Sequence, residues 1–125
     1  MVPPTPMGTP LTIVVDDEPL ILDLVIEGLE AEGHKVQGFH SADDAWAFIS
    51  KLEAPIRLLV SDLRMPGRLT GANLATRAHQ HSPDAKIVLS SGYLEELETD
   101  RPAYVTFLKK PWGFDQLFKV CSTTL

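Results

Sequence analysis

Two textures of apolar and polar positions alternate along this chain. Short runs dense in Val, Ile, Leu and Phe occupy Leu11–Val15, Lys35–Phe39, Arg57–Ser61, Lys86–Ser90 and Tyr104–Leu108. Their length and β-branched content predict strands. Between them, apolar residues recur at helical spacing. Pro19–Glu32 sets Ile21, Leu24, Val25 and Leu29 on one stripe, which Leu22 and Ile26 widen into a well-buried face. Pro19 suits a first helical turn and Gly33 a stop. Ser41–Leu52 opens with Ser41-x-x-Asp44, a capping-box-like start, and turns Ala45, Ile49 and Leu52 inward. Gly71–His81 offers Leu74, Ala75 and Ala78 before Pro83. Gly113–Ser122 offers Phe114, Leu117, Phe118 and Cys121.

Strands separated by helices predict βαβ units and a parallel sheet covered on both faces. The near-continuous apolar strands agree, because a central parallel strand is buried twice. The expected fold is α/β: a flavodoxin-like, doubly wound, five-stranded parallel sheet of order 2-1-3-4-5. In that order the first and third strands are neighbours, and ligands bind beyond the carboxyl ends of the strands near the switch point.

Composition narrows the function classes. The chain has 125 residues, 44% of them hydrophobic, which suits one domain with one core. Only 7% are aromatic, so the core is aliphatic. The formal charge is −6 with no Lys/Arg block, which argues against direct contact with nucleic acid. Cys121 is the single cysteine and cannot form an internal disulfide, so a reducing, cytoplasmic setting is the simplest reading. No apolar run approaches the roughly 18 residues of a membrane span. Residues 1–10, "MVPPTPMGTP", lack the basic start and apolar centre of a secretory signal and read as a flexible, Pro-rich tail. The domain then covers residues 11–125.

The chemistry gathers at the predicted carboxyl ends. The first strand ends in Asp16-Asp17-Glu18, the third in Asp62, the fourth in Ser90-Ser91-Gly92 and the fifth in Lys109-Lys110-Pro111. Clustered carboxylates repel unless one holds a proton or a cation intervenes. Oxygen ligands without histidine or cysteine suit Mg²⁺ or a similar hard ion. An aspartate can accept a phosphoryl group, a lysine can neutralise phosphoryl oxygens and a serine can donate to them. Taken singly, each piece has an ordinary reading: an acidic first helical turn, a loop acid, a serine–glycine turn, a surface lysine. Their occurrence in order at four strand ends points to a phosphoryl-transfer site. The other polar and aromatic residues read as structural: His79 and His81 as surface histidines, Trp46 as a packing residue, Trp112 as packing with shaping of the site's rim as the alternative, and Cys121 as core.

The stretches "VVDDEP", "VSDLRMPG", "LSSGY" and "FLKKPW" together resemble the receiver domain of two-component response regulators, from Leu11 to about Thr123. The resemblance implies that Asp62 accepts a phosphoryl group from a phosphohistidine. It implies Mg²⁺ or Mn²⁺ bound by Asp17 and Asp62, by Asp16 through water and by the backbone carbonyl of Arg64. Ser91 and Lys110 then contact the phosphoryl group, and Phe107, Arg64, Tyr93 and Gly92 modulate or switch. The implied partners are a sensor histidine kinase or a histidine phosphotransfer protein, with homodimer formation left open and neither nucleic acid nor membrane bound directly. The implied role is signalling rather than enzymatic, although such a domain assists its own phosphorylation and dephosphorylation.

The sequence departs from the family's usual pattern at several points. Serine replaces the frequent threonine at Ser91, and phenylalanine the frequent tyrosine at Phe107. The Met65–Gly71 loop is one residue longer than the commonest form. The stretch from Gly92 to Lys110 is short, so helix 4, the fourth crossing, is expected as a single turn at Leu94–Glu98 or as irregular chain. Such features resemble receivers of hybrid histidine kinases and some stand-alone ones. Two other classes compete. A phosphorylation-independent pseudo-receiver would lack one of the acids or the lysine. A Mg²⁺-dependent phosphohydrolase would commonly carry a second acid two residues after its nucleophile, where this chain has Arg64.

Overall fold

The computed structural model describes residues 10–65, 67–92 and 103–122. Five strands, β1 (Thr12–Val15), β2 (Val36–Phe39), β3 (Leu58–Asp62), β4 (Lys86–Ser91) and β5 (Val105–Lys109), alternate with α1 (Pro19–Ala31), α2 (Ala42–Ile49), α3 (Gly71–His81) and the closing α4 (Phe114–Ser122). The sheet is parallel in every pairing and its order is β2-β1-β3-β4-β5, as expected. The expected turn of helix at Leu94–Glu98 and most of the N-terminal tail lie outside the described residues.

Period-two alternation sorts the strand residues between two faces. Ile13, Val15, Leu59, Ile87 and Leu89 pack with Ala42, Ala45 and Ile49 of α2 and Leu74, Ala75 and Ala78 of α3. Val14, Leu58, Val60 and Val88 pack with Leu22, Val25 and Leu29 of α1 and Leu117 and Cys121 of α4. β3 is buried along its whole length, because β1 and β4 flank it and helices cover both faces. Each fully buried Leu or Ile contributes about 1.5–3 kcal/mol relative to exposure. The central strand is therefore the most firmly held platform in the molecule, and Asp62 stands at its end.

The face of α1 differs from the expected one. Leu22, Val25 and Leu29 are buried, whereas Leu24 is 43% exposed and Leu20 72% exposed. Positions 22, 25, 26 and 29 form an i, i+3, i+4, i+7 stripe as regular as the one through Leu24, and the sheet selects between them. α2 is shorter than expected, with Ser41 as its N-cap accepting from the Asp44 N–H at 3.1 Å. α3 has a full capping box: Thr70 Oγ1 accepts from the Asn73 N–H at 3.0 Å, and Asn73 Oδ1 from the Thr70 N–H at 3.1 Å. His79 and His81 are half-buried rather than surface residues. His79 stacks on Tyr104 with centroids 3.7 Å apart, and His81 Nε2 meets the Leu52 carbonyl at 2.8 Å.

Candidate functional site

The parallel sheet brings every strand's carboxyl end to one rim. There β1 gives way to Asp16 and Asp17, β3 ends in Asp62, β4 ends in Ser90 and Ser91, and Lys110 follows β5. The rim surrounds a cleft of about 480 Å³ lined by Asp17, Glu18, Asp62, Arg64, Ser90, Ser91, Gly92 and Lys110. Lys110 Nζ lies 2.7 Å from Asp62 Oδ1. The Lys110 N–H donates to the Ser91 carbonyl at 2.9 Å, which fixes the lysine beside β4, and the Lys110–Pro111 peptide is cis. Asp16, Asp17 and Asp62 each offer an oxygen within 4.8 Å of the others.

These acids are not equivalent. Asp16 is buried and its Oδ1 accepts from the N–H of Glu18, the N-cap of α1, at 2.9 Å, which ties it to the chain entering that helix. Asp17 is exposed. Asp62 is buried at the end of the central strand yet opens on the cleft. Burial, reinforced by the charges of Asp16 and Asp17, pushes the Asp62 carboxyl up to about 6 despite its hydrogen bond to Lys110. Burial likewise raises Asp16, against the pull of the Glu18 N–H and Lys110. Burial acts to lower Lys110, but the bond to Asp62 and the charges of Asp62, Asp16 and Glu18 outweigh it, and the ammonium is held charged. Crowded, desolvated carboxylates that resist full ionisation are what a bound hard cation would relieve. The donor set is all oxygen, as Mg²⁺ prefers.

The structure thus gathers Asp16, Asp17, Asp62, Arg64, Ser91, Gly92 and Lys110 on one rim. Phe107 is half-buried under it, packed against the α2–α3 side of the core. Tyr93 lies outside the described residues. The sequence places Ser90 at this rim and leaves Trp112 between packing and shaping the rim; the structure gives both a contact. Ser90 pairs with Asp62 across the β3–β4 ladder and accepts from Trp112 Nε1–H at 2.8 Å. Trp112 therefore ties the chain after Lys110 to the end of β4 rather than serving as packing only. The adjacent serines at the end of an apolar run were the available signal, since period two points only one of them each way.

Beside the cleft lies a second, mostly apolar groove of about 480 Å³. Glu18, Ile21, Leu24, Lys110, Pro111, Trp112 and Phe114 line it. It shares Glu18 and Lys110 with the acidic cleft. Among the described residues, no helix is long and apolar enough to cross a membrane.

Comparison with known proteins gives a consistent likeness. Residues 12–122 match the family model of the response regulator receiver domain. The response regulator receiver protein CpdR of Brucella abortus is 28% identical over 108 residues, which are 84% of this chain and 88% of CpdR. The nitrogen assimilation regulatory protein NtrX of Azorhizobium caulinodans is 33% identical over 119 residues, but these are only 25% of that protein. The sensor kinase CckA of Brucella abortus is similarly longer, and the match spans 12% of it. Among solved structures, the receiver domain of NtrX from Brucella abortus superposes with a TM-score of 0.75 at 37% identity, covering 91% of this chain and 97% of that one.

Proposed function

Since the chain belongs to the response regulator receiver family and is a signalling domain of two-component systems, we propose that Asp62 is its phosphoacceptor. The observation that carries this reading is the placement of Asp62. It is a buried carboxylate at the mouth of the central strand, 2.7 Å from Lys110 and within 4.8 Å of two further acids. Asp16 is occupied by the start of α1, and Asp17 is exposed rather than presented by the central strand.

In the proposed reaction an Asp62 oxygen bonds to phosphorus as the phosphorus–nitrogen bond of a donor phosphohistidine breaks. The released imidazole nitrogen takes a proton from water. Asp17 and Asp62, with Asp16 through water and the Arg64 carbonyl, would hold Mg²⁺. When bound, the ion supplies charge neutralisation between carboxylate and phosphoryl oxygens. Lys110 exchanges its hold on the carboxylate for one on the phosphoryl group, and the Ser91 hydroxyl donates to another phosphoryl oxygen. The added −1.5 to −2 charges, roughly, bias Lys110, Ser91 and the β4–β5 side toward a second arrangement. Phe107, half-buried on β5 against the core, is the residue proposed to respond to that change. The apolar groove beside the cleft, with Leu24 and Phe114 exposed on it, supplies contact area for the donor protein.

Incubation with Mg²⁺ and acetyl phosphate, read by intact mass, tests the chemistry without a donor protein. One added phosphoryl group in the native chain, absent in Asp62→Ala, is the expected result. A natively folded protein that takes up none would instead be a phosphorylation-independent interaction module.

A further inference from the structure

The loop after Asp62 is tied down by a residue that the chemistry above does not use. Asp43 lies in the first turn of α2, yet its carboxylate leaves that helix. Its Oδ2 accepts from the Arg68 N–H at 2.9 Å and its Oδ1 from the Leu69 N–H at 3.1 Å. Two successive backbone donors on one carboxylate make charge-assisted bonds, stronger than neutral ones. The loop is shaped to receive them. Gly67 has φ +121°, a backbone angle that favours glycine, and a Cβ there would stand 2.5 Å from Asp43 Oδ2 and displace that carboxylate.

Other anchors hold the two ends of the loop. The Leu63 N–H donates to the Ser90 carbonyl at 2.8 Å, and the Gly71 N–H to the Leu63 carbonyl at 3.0 Å. A Cβ on Gly71 would collide with the Asp62 carbonyl oxygen, so the start of α3 sits directly on the acceptor's backbone. Between these ends, Arg64 lines the cleft. Met65, next to Arg64, packs against the α2–α3 side of the core, and the Asp43 pair then holds Arg68 and Leu69.

We propose that Asp43 is a positioning residue for the phosphoacceptor site: by holding Arg68 and Leu69 it sets where Arg64 stands relative to the Asp16–Asp17–Asp62 cluster. This rests on reading that cluster as the Mg²⁺ and phosphoryl site. Asp43 touches neither ion nor phosphoryl group and acts through the loop. Outer residues that orient a metal site commonly matter about 10–100-fold in affinity.

The test compares the full chain with Asp43→Ala, Asp43→Asn and Asp44→Ala. Asp44 is the exposed acid beside Asp43, so its loss removes the same charge from the same helix turn without touching the loop. Isothermal titration with Mg²⁺ measures affinity, and amide exchange of the metal-free protein measures loop order. The expected result is Mg²⁺ affinity weakened about tenfold in Asp43→Ala, unchanged in Asp44→Ala and largely restored in Asp43→Asn, which keeps an acceptor oxygen. Faster exchange in Asp43→Ala should extend from Leu69 back to Arg64. Unchanged Mg²⁺ affinity in Asp43→Ala overturns the proposal, as does an equal loss in Asp44→Ala. If the native chain binds no Mg²⁺ and takes up no phosphoryl group, the parent reading fails separately. Exchange then judges the clamp: acceleration reaching Arg64 supports it, and acceleration confined to Arg68 and Leu69 overturns it.

Discussion

The two ends of the sheet bury polar groups in opposite ways. At the amino end neutral groups pair, although Arg57 Nε at the head of β3 is buried without a hydrogen-bond partner. Thr12 Oγ1 lies 2.8 Å from His34 Nδ1, and Ser82 Oγ accepts from the Ile56 N–H at 2.9 Å and meets His81 Nδ1 at 2.7 Å. At the carboxyl end Asp16 and Asp62 are buried close together and beside Asp17, and Lys110 offsets only part of the repulsion. Neutral, partnered groups hold a fold together, whereas crowded like charges work against it. An arrangement that costs stability at one rim, opposite a rim that conserves it, is the mark of a site kept for chemistry.

The sharpest way to break this contrast is Asp62→Asn. The variant should take up no phosphoryl group from acetyl phosphate, a complete loss by intact mass. At pH 7 without metal it should nonetheless unfold at a higher denaturant concentration than the native chain, because it removes a carboxylate held in an unfavourable place. Mg²⁺ should raise the native midpoint more than that of the variant. A variant less stable than the native chain would mean that the Lys110 pair outweighs the repulsion.

At the opposite rim the sign should reverse. Ser82→Ala leaves the Ile56 N–H buried without its acceptor, and such losses cost about 1–3 kcal/mol. Its denaturation midpoint should fall, while phosphoryl uptake and Mg²⁺ affinity stay native. A loss of uptake in this variant would show that the two rims are coupled through the sheet.

Residues at the site were more legible than the contacts that hold it. Asp17, Asp62, Ser91 and Lys110 could be read because a parallel sheet sends every strand's carboxyl end to the same rim, so sequence order becomes spatial proximity. The inward face of α1 could not be settled, since stripes through Leu24 and through Leu22 are both regular and only packing on the sheet chooses. Asp43 carries no sequence signal beyond that of an acid in a first helical turn. Its partners are backbone amides some 25 residues away, which carry no side-chain signature. His79 and His81 were misread for a related reason: their partners Tyr104 and Leu52 lie in connecting segments distant in sequence.

The smallest expected effect, and the finest comparison of the rims, is in pH. Burial raises Asp62 from 3.8 to about 6. Between those values the folded state binds more protons than the unfolded chain, so stability falls as pH rises through that window. Burial lowers His34 from 6.5, helped by the charge of Arg57 and opposed by Glu32. There the unfolded chain binds more protons, so the stability linked to neutral His34 is intact above 6.5 and is lost as pH falls toward its folded value. The two linkages therefore carry opposite signs. Asp62→Asn should remove the Asp62 slope between 6 and 3.8, leaving the raised Asp16 and the decline linked to His34 below 6.5. Replacing His34 by Gln should uncover the Asp62 slope, with stability increasing on acidification from 6 toward 4. Denaturant midpoints across this range, with chelator present, check both. Parallel slopes in the two variants would mean that the rims do not titrate in opposition.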